Sequence, residues 1–308
     1  MRAVAEAPAK VIVTGEHLVV HGAWALAAAL PRRVRVEVAA SSSLKIASQG
    51  FGAGAPELEP LGQVAAAIAE EFSLRQPVSI SVSSSVPRGA GLGSSAATMV
   101  ALSAALSRFH SLGLKAEDVV RFSMVGEKGV HGRPSGIDPT VCALGGVILF
   151  RPGTRPRRVS LKGSRSLVVS YSGVSRATRE QIGRVSEAKS KYPSYIGLLA
   201  SSVSDLSVGA AEMLARKDNK RLGETLTINH AILGSLGVST PTLDEMVDLM
   251  ASMGAYGAKL TGGGGGGSVV AVAPKAKEKN LVSGLAARGF ETFIAKIPAE
   301  GVRSWLER

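Results

Sequence analysis

Hydrophobic and polar positions along the 308-residue chain follow two periodicities. Alternation with period two, or a short apolar run, predicts strands at 9–14, 34–40, 77–84, 145–150, 166–170, 268–272 and 291–297. Apolar positions at helical spacing predict helices at 60–73, 95–110, 116–128, 175–190, 195–217, 219–235, 242–253 and 275–288. A further short strand at 44–47 could pair with 34–40. Because strands and helices do not alternate strictly, the pattern predicts an α+β fold and not a doubly wound sheet.

Two domains are expected from the length and from one stretch of unusual composition. The chain is long for a single hydrophobic core and comfortable for two. Residues 151–166 are basic and contain prolines and glycines, which is typical of a domain boundary. We therefore expect an N-terminal domain at 1–160 and a C-terminal domain at 161–308. The helix predicted at 95–110 is apolar on nearly every side, so it should lie inside the first domain.

The composition is that of a globular protein, with 45% hydrophobic and 19% charged residues. No continuous apolar run reaches the ~18 residues that span a bilayer, and the first residues lack the apolar stretch of a secretory signal. The single cysteine, Cys142, has no partner for an internal disulfide and is interpreted as a small core residue. These features predict a soluble cytoplasmic protein with no membrane partner.

Positive charge is concentrated in one part of the chain. The formal net charge is +12, and residues 151–191 supply +9 of it through eleven Lys or Arg against two Glu. A basic surface attracts ATP, an acidic metabolite or nucleic acid, or it only aids solubility. Aromatic residues are only 4% of the chain, so stacking platforms for single-stranded nucleic acid are scarce. We expect no nucleic-acid partner, and a non-catalytic nucleotide or nucleic-acid binding protein is the alternative from another class.

A glycine-rich loop stands directly before a predicted helix. Its residues are Pro87, Arg88, Gly89, Ala90, Gly91, Leu92, Gly93, Ser94, Ser95, Ala96 and Ala97. Glycines let main-chain N–H groups converge on an anion, and the helix adds its positive N-terminus. No Lys-Ser or Lys-Thr follows the last glycine, so this is not a Walker A loop. The two serines could cap the helix, bind phosphate or ligate Mg²⁺, and the alternative is a plain strand-to-helix turn.

Two carboxylates accompany a second segment rich in glycine and proline, at 128–140. Asp138 lies in this predicted loop, and Glu127 lies eleven positions earlier at the end of a predicted helix. A rigidly held carboxylate suits a general base for a substrate hydroxyl, and a second carboxylate suits a metal ligand. The alternative is an Asp-Pro turn beside a surface glutamate.

Two further features are unusual for ordinary packing. Residues 262–267 are six consecutive glycines, which cost backbone entropy and indicate that the main chain approaches something closely or bends sharply. A flexible linker is the alternative. Lys10 stands in an otherwise apolar strand, either as the charged gatekeeper of an edge strand or as an ammonium directed into a site. His17, taken alone, would more often be a structural histidine.

The order of these segments resembles the GHMP kinase superfamily, named for galactokinase, homoserine kinase, mevalonate kinase and phosphomevalonate kinase. Residues 7–21, 87–97 and 257–267 are similar to its three motifs. Within the superfamily the chain is most similar to the mevalonate kinases. The matching sequences are Gly15-Glu16-His17-Leu18-Val19-Val20-His21-Gly22, Glu127 with His131-Gly132-Arg133-Pro134-Ser135-Gly136-Ile137-Asp138, Asn229-His230 and Leu236-Gly237-Val238-Ser239.

The resemblance implies a fold and a reaction. Members of the superfamily have an N-terminal domain like domain 2 of ribosomal protein S5, a ferredoxin-like C-terminal domain and an active site between them. The implied reaction transfers the γ-phosphate of ATP, with Mg²⁺, to mevalonate in isoprenoid biosynthesis. Phosphomevalonate and homoserine are the alternative substrates, and a homodimer is left open.

The resemblance also implies a role for each matching residue. Asp138 would be the catalytic base, and Lys10 would lie beside the attacking hydroxyl. Ser95 and Glu127 would hold Mg²⁺, and residues 87–97 would bind the phosphates of ATP. The substrate would face Glu16, His17, Asp138 and Thr178.

Overall fold

The computed structural model describes residues 1–49, 55–87, 89–131, 134–175 and 178–308. The strands of this part of the chain are β1 (Arg2–Thr14), β2 (Ala25–Ala40), β3 (Lys45–Ser48), β4 (Val78–Ser84), β5 (Val147–Phe150), β6 (Arg157–Arg158), β7 (Arg165–Tyr171), β8 (Gly257–Thr261), β9 (Ser268–Val272), β10 (Glu291–Ile297) and β11 (Arg303–Glu307). The α-helices are α1 (Glu59–Glu71), α2 (Ser94–Phe109), α3 (Ala116–His131), α4 (Ile137–Leu144), α5 (Thr178–Lys191), α6 (Pro193–Arg216), α7 (Asn219–Ser235), α8 (Pro241–Ser252) and α9 (Glu278–Ala286). Short 3-10 helices occur at Leu18–His21, Pro56–Leu58 and Lys275–Lys277.

Within the described residues, seven strands form the first sheet. Its main order is β11-β1-β2-β4-β3. In addition, β5 pairs with β2, and β6 pairs with β5. The long strand β2 serves two neighbours on one side, because its first residues pair with β5 and its last residues pair with β4. On its other side it pairs with β1 along most of its length. The last strand, β11, returns to this sheet and pairs with the start of β1.

The helix α2 forms the centre of the first core. It packs on β1 and β2 and touches α1, α3 and α4. Its buried residues occur on nearly every side of the helix, including Met99, Val100, Leu102 and Leu106. This confirms the prediction that the helix lies inside the protein, and the physical reason is that it carries no broad polar face to expose.

The second sheet is antiparallel throughout, with the order β10-β7-β9-β8. The helices α7 and α8 pack on β8 and β9, and α9 packs on β7 and β10. Strands β8 and β9 are fully buried, which agrees with their small and apolar residues. Two sheets with helices packed on them confirm the predicted α+β fold.

The helix α6 is the one helix of the described residues that is long and apolar enough, by length and composition, to cross a membrane. It contains no long continuous apolar run, because serines, glycines and charged residues interrupt it. Core helices of soluble proteins pass the same test, so a single such helix is weak evidence. Ile196, Val203 and Leu214 are buried on one face of α6, where it packs on α7 and on β1 and β2.

Two local predictions are wrong, each for a physical reason. Residues 137–140, the end of the segment 128–140 predicted as loop, begin α4, because this helix of eight residues next to a glycine is too short to show helical periodicity. Residues 45–48 pair in parallel with β4 and not with 34–40, because β1 and β4 already occupy both edges of that part of β2. The hydrophobic pattern also misses β8 and β11, since one is rich in small residues and the other is short.

Candidate active site

The glycine-rich loop at 87–97 turns from the first sheet into α2. Gly89, Gly91 and Gly93 have φ angles of 68°, 77° and 75°, the left-handed region that glycine adopts without strain. Gly93 is the N-cap of α2, and among the described residues this N-cap position makes no side-chain capping hydrogen bond. The two serines that follow therefore do not cap it. The main-chain N–H groups of its first turn are directed at the loop, as an anion site requires.

The loop is held from both sheets. The main-chain N–H of Lys10 in β1 donates to the main-chain oxygen of Leu92 at 2.9 Å. The hydroxyl of Ser268 in β9 donates to the main-chain oxygen of Ala90 at 2.7 Å. Ser268 directly follows the six glycines 262–267. The third glycine-rich segment therefore leads into a residue that supports the loop.

The six glycines pack closely on their neighbours. The main-chain N–H of Gly265 donates to Val238 and that of Gly267 donates to Val174, each at 2.9 Å. A Cβ placed on Gly264 would lie 2.0 Å from the main-chain oxygen of Val238, which is far inside van der Waals contact. This confirms the predicted close approach of the main chain and excludes the flexible linker.

Lys10 and Asp138 form an ion pair beside the glycine loop. The Nζ atom of Lys10 is 3.0 Å from Oδ2 of Asp138 and 3.4 Å from the main-chain oxygen of Gly91. The side chain of Lys10 is only 1% exposed and that of Asp138 is 22% exposed. A gatekeeper lysine would be solvated, so the second interpretation of Lys10, an ammonium directed into a site, is the one that the structure supports.

Asp138 lies in the first turn of α4, and the prediction that it lies in a loop is wrong. The helix begins after Gly136, which has a φ of 87°. The positive N-terminal end of a helix favours a carboxylate in its first turn. The helix also packs on α2 and β1. Its rigidity, and not that of a Gly/Pro loop, is what holds the carboxylate against Lys10.

Gly93 makes room for the side chain of Lys10. A Cβ on Gly93 would lie 2.7 Å from Cγ and 2.8 Å from Cε of Lys10. Cβ atoms essentially never approach another carbon so closely, so a larger residue would have to displace the lysine. Gly93 therefore has two roles, because it adopts the positive φ of the turn and leaves space for the lysine of the ion pair.

Ser95 and Glu127 place two oxygen atoms together on neighbouring helices. The hydroxyl of Ser95 in α2 donates to Oε1 of Glu127 in α3 at 2.6 Å, and Glu127 is 2% exposed. A hydroxyl and a carboxylate are the hard oxygen donors that Mg²⁺ prefers. In the described ranges no group of three or more His, Cys, Asp and Glu side chains could hold a metal ion. A donor set of two suits Mg²⁺, which usually keeps waters and phosphate oxygens as its other ligands.

A cavity of about 430 Å³ opens next to the Lys10–Asp138 pair. Its polar wall includes both residues of this pair and Glu127. Its apolar wall includes Ile12, Val19, Ile182 and Val185. Because β1 and α4 supply one wall while α5 and the glycine run supply the other, the cavity lies where the two halves of the chain meet.

Glu16 and His17 line the same cavity. The Nε2 atom of His17 is 3.0 Å from the main-chain oxygen of Gly263. Glu16 forms a buried ion pair with Lys259 in β8. Burial raises the pKa of the Glu16 carboxyl above its ordinary value, and the ammonium of Lys259 opposes this rise. The sequence-based prediction did not include Lys259, because β8 was not recognised as a strand and the lysine stands in a segment rich in small residues and glycines.

Two predicted site residues fall outside this description. Arg88, predicted to contact phosphate, and the side chain of Thr178, predicted to face the substrate, lie outside the described residues. The other predicted residues meet around the glycine loop and the cavity.

Comparison with known proteins identifies the family. Residues 60–146 match the GHMP kinases N terminal domain, and residues 210–291 match the GHMP kinases C terminal domain. The chain belongs to the GHMP kinase family of ATP-dependent kinases. The family predicted from the order of the three glycine-rich segments is confirmed.

Full-length relatives show which members of the family this chain is similar to. It is 35% identical to a mevalonate kinase of Thermococcus sibiricus, with 98% of each chain covered, and 37% identical to one of Aeropyrum pernix, with 97% of each covered. Its fold is similar to the crystal structure of L. major mevalonate kinase in complex with R-mevalonate, with a TM-score of 0.83, 28% identity and 96% of each chain covered. The predicted similarity to mevalonate kinases is confirmed, and these matches favour a kinase over a non-catalytic binding protein.

Proposed function

We propose that this protein transfers the γ-phosphate of ATP to the 5-hydroxyl of mevalonate and forms 5-phosphomevalonate. The observation that carries the proposal is the Lys10–Asp138 pair, which stands between the glycine loop and the cavity. The glycine loop on one side of this pair suits ATP, the phosphoryl donor. The cavity on the other side suits a small substrate whose hydroxyl accepts the phosphoryl group. The full-length similarity to mevalonate kinases supports the choice of acceptor.

The proposed chemistry uses few protein groups. The hydroxyl oxygen of mevalonate attacks the γ-phosphorus while the bond to the bridging oxygen breaks, so ADP leaves. Asp138 accepts the hydroxyl proton, and the ammonium of Lys10 stabilises the negative charge that develops on the attacking oxygen. The N–H groups of the glycine loop and the N-terminus of α2 hold the phosphates. Phosphoryl transfer asks a protein mainly for positioning and charge neutralisation, which these groups supply.

The substrate side of the site is proposed to include Glu16 and His17, which line the cavity. Thr178 belongs to the same proposal on the resemblance alone. The division of the chain near residue 160 is proposed as well, because β6 ends the first run of strands at Arg158 and β7 begins the second sheet at Arg165. The last strand, β11, is the exception, since it returns to the first sheet. The site would then lie between the two GHMP kinase domains.

Mg²⁺ is proposed to bind at Ser95 and Glu127, because their two hard oxygens lie 2.6 Å apart beside the glycine loop. When bound, the ion would neutralise charge on the phosphates of ATP. Asp138 lines the cavity and pairs with Lys10, which supports the proposal that its separate task is to accept a proton.

Glu127→Gln and Ser95→Ala are each expected to raise the Mg²⁺ concentration needed for half-maximal activity. Each change removes one of the two hard oxygen donors, so the ion is held less tightly. The measurement is the initial rate at fixed ATP over a series of Mg²⁺ concentrations. Ser103→Ala is a matched control, because the hydroxyl of Ser103 is buried in the same helix and donates to the main-chain oxygen of Met99. An unchanged Mg²⁺ dependence in both site variants contradicts the assignment and leaves the ion to the phosphates of ATP.

A coupled ADP-release assay tests the proposed function. Mevalonate, phosphomevalonate, homoserine and galactose are offered separately with ATP and Mg²⁺, and the product of the preferred substrate is identified by mass. Mevalonate is expected to give the highest kcat/KM. If the protein prefers another of these compounds, it is still a GHMP kinase but its substrate is not mevalonate. If it binds RNA and releases no ADP with any of the four compounds, the proposed function is contradicted.

A further inference from the structure

A glutamine anchors the helix that forms one wall of the cavity. The helix α5 is polar, and among its described side chains only Gln181 and Val185 are buried. They are 6% and 2% exposed and lie four positions apart, so they share the face that α5 turns toward the protein. Val185 lines the cavity together with Ile182 and Ser186. The position of this wall therefore depends on how Gln181 is held.

Gln181 packs on the glycine run 262–267. A Cβ on Gly265 would lie 2.7 Å from Nε2 and 3.0 Å from Cδ of Gln181. The main chain of Gly265 is itself fixed, because its N–H donates to the main-chain oxygen of Val238 at 2.9 Å. The absence of a side chain at Gly265 leaves the space that the amide of Gln181 fills.

The stability of the free protein does not explain a glutamine at this position. Oε1 of Gln181 is buried and has no hydrogen-bond partner among the described residues. A buried acceptor without a donor is costly, whereas an apolar side chain of the same shape is neutral or stabilising. The buried face of a surface helix also favours apolar residues. A buried polar group that is left unsatisfied points to a role outside stability.

A donor for Oε1 lies next to Gly265. The N–H groups of Gly265 and Gly267 donate to main-chain oxygens, but within the described ranges the N–H of Gly266 makes no main-chain hydrogen bond. An acceptor without a donor and a donor without an acceptor thus lie at the same stretch of main chain. A small shift of α5 toward the glycine run would join them.

We propose that Gln181 is a positioning residue that fixes α5 against the glycine run when the hydroxyl substrate fills the cavity. Contacts of the substrate with Ile182 and Ser186 draw α5 inward, and Oε1 of Gln181 then accepts the hydrogen bond of Gly266. The substrate touches neither of these two groups. A substrate that binds better to the closed arrangement shifts the protein toward it, so the new hydrogen bond contributes to substrate affinity. The inference rests on the proposed function, because it takes this cavity as the site of the hydroxyl substrate.

The test replaces Gln181 by methionine, which keeps the length of the side chain and removes the acceptor. The KM for the hydroxyl substrate is expected to rise about 3- to 10-fold, the range for one neutral hydrogen bond, with smaller changes in kcat and in the KM for ATP. The melting temperature of the free protein should stay the same or rise, because an unsatisfied buried acceptor is gone. The rise in melting temperature that the substrate produces should be smaller than in the wild type.

A glutamine with only a structural role gives a different result. The free Gln181→Met variant would then melt at a lower temperature, while the substrate would stabilise it as much as the wild type. That outcome, or a wild-type KM for the hydroxyl substrate, overturns the proposal. Gln181→Leu has the same expected results and carries the test if the methionine variant does not fold. Gln63→Met is the matched control, because it makes the same change at an exposed position of α1, and it should behave as the wild type.

The choice of substrate keeps the two proposals apart. The assays use whichever compound of the panel mevalonate, phosphomevalonate, homoserine and galactose the wild-type protein prefers. If the wild type phosphorylates none of them, the proposed function fails and the role of Gln181 fails with it. If the wild type phosphorylates one of them and Gln181→Met has the same KM for it, only the role of Gln181 fails.

Discussion

Replacing Asp138 by asparagine is expected to lower kcat by about 10²- to 10⁴-fold, the usual cost of removing a general base. Asparagine keeps the size of the side chain but cannot take the proton of the attacking hydroxyl. It also removes the ionic partner of Lys10, 3.0 Å away. The fold should survive, because Asp138 is partly exposed at the start of a helix and is not a core residue.

The experiment measures kcat for mevalonate together with the rise in melting temperature that ATP produces. Asp205→Asn is a matched control, because it makes the same chemical change at an exposed position of α6. We expect the control to be close to wild type in both measurements and Asp138→Asn to lose only turnover. Turnover near the wild-type value in Asp138→Asn would mean that the transition state is so dissociative that no base is needed.

Gly93→Ala is expected to lower kcat by about 10²-fold, the cost of misplacing a catalytic group by about 1 Å. The added Cβ would lie 2.7 Å from Cγ of Lys10, so the lysine side chain must shift, which disturbs its contact with Asp138. As a separate effect, alanine at a positive φ strains the main chain and lowers the free energy of unfolding by about 1–3 kcal/mol. The two effects are distinct, since one acts on the ion pair and the other acts on the main chain.

Gly113→Ala separates these effects. Gly113 has a φ of 68°, similar to the 75° of Gly93, but a Cβ there meets nothing within 4 Å. Both variants should lose a similar amount of thermal stability, and only Gly93→Ala should lose kcat. Equal kcat in the two variants would show that Lys10 adapts without consequence or that it does not act in turnover.

The residues at the centre of the site could be predicted because each is unusual in its local context. Lys10 interrupts an apolar strand, and Asp138 stands in a segment rich in glycine and proline. The alternation of glycines at 89, 91 and 93 before a helix is typical of an anion site or of a tight strand-to-helix turn, and the order of the other segments favours the first. Such signals need no knowledge of the fold, since they arise from the conflict between a residue type and its immediate neighbours.

Other parts of the site give weaker local signals. Lys259 lies in β8, which consists largely of small residues and precedes the glycine run. The hydrophobic pattern therefore indicates a glycine-rich segment and not a strand with one charged residue. The helix that carries Asp138 is too short for its periodicity to be recognised. The role of Gly93 in making room for Lys10 can be recognised only from the structure. The space beside Gly93 is filled by the side chain of Lys10, which lies in β1 and is distant in sequence.

Hydrophobic periodicity predicted helices and strands over most of the chain, because it is a local property. The sequence also determined which residue types could do chemistry. Which of these residues meet depends on the packing of the folded chain, which brings together Lys10 with Asp138, Ser95 with Glu127, and Glu16 with Lys259. Each pair joins separate segments of the chain, and two of the pairs join residues more than a hundred positions apart. No periodicity encodes such a contact, since it depends on how sheets and helices pack.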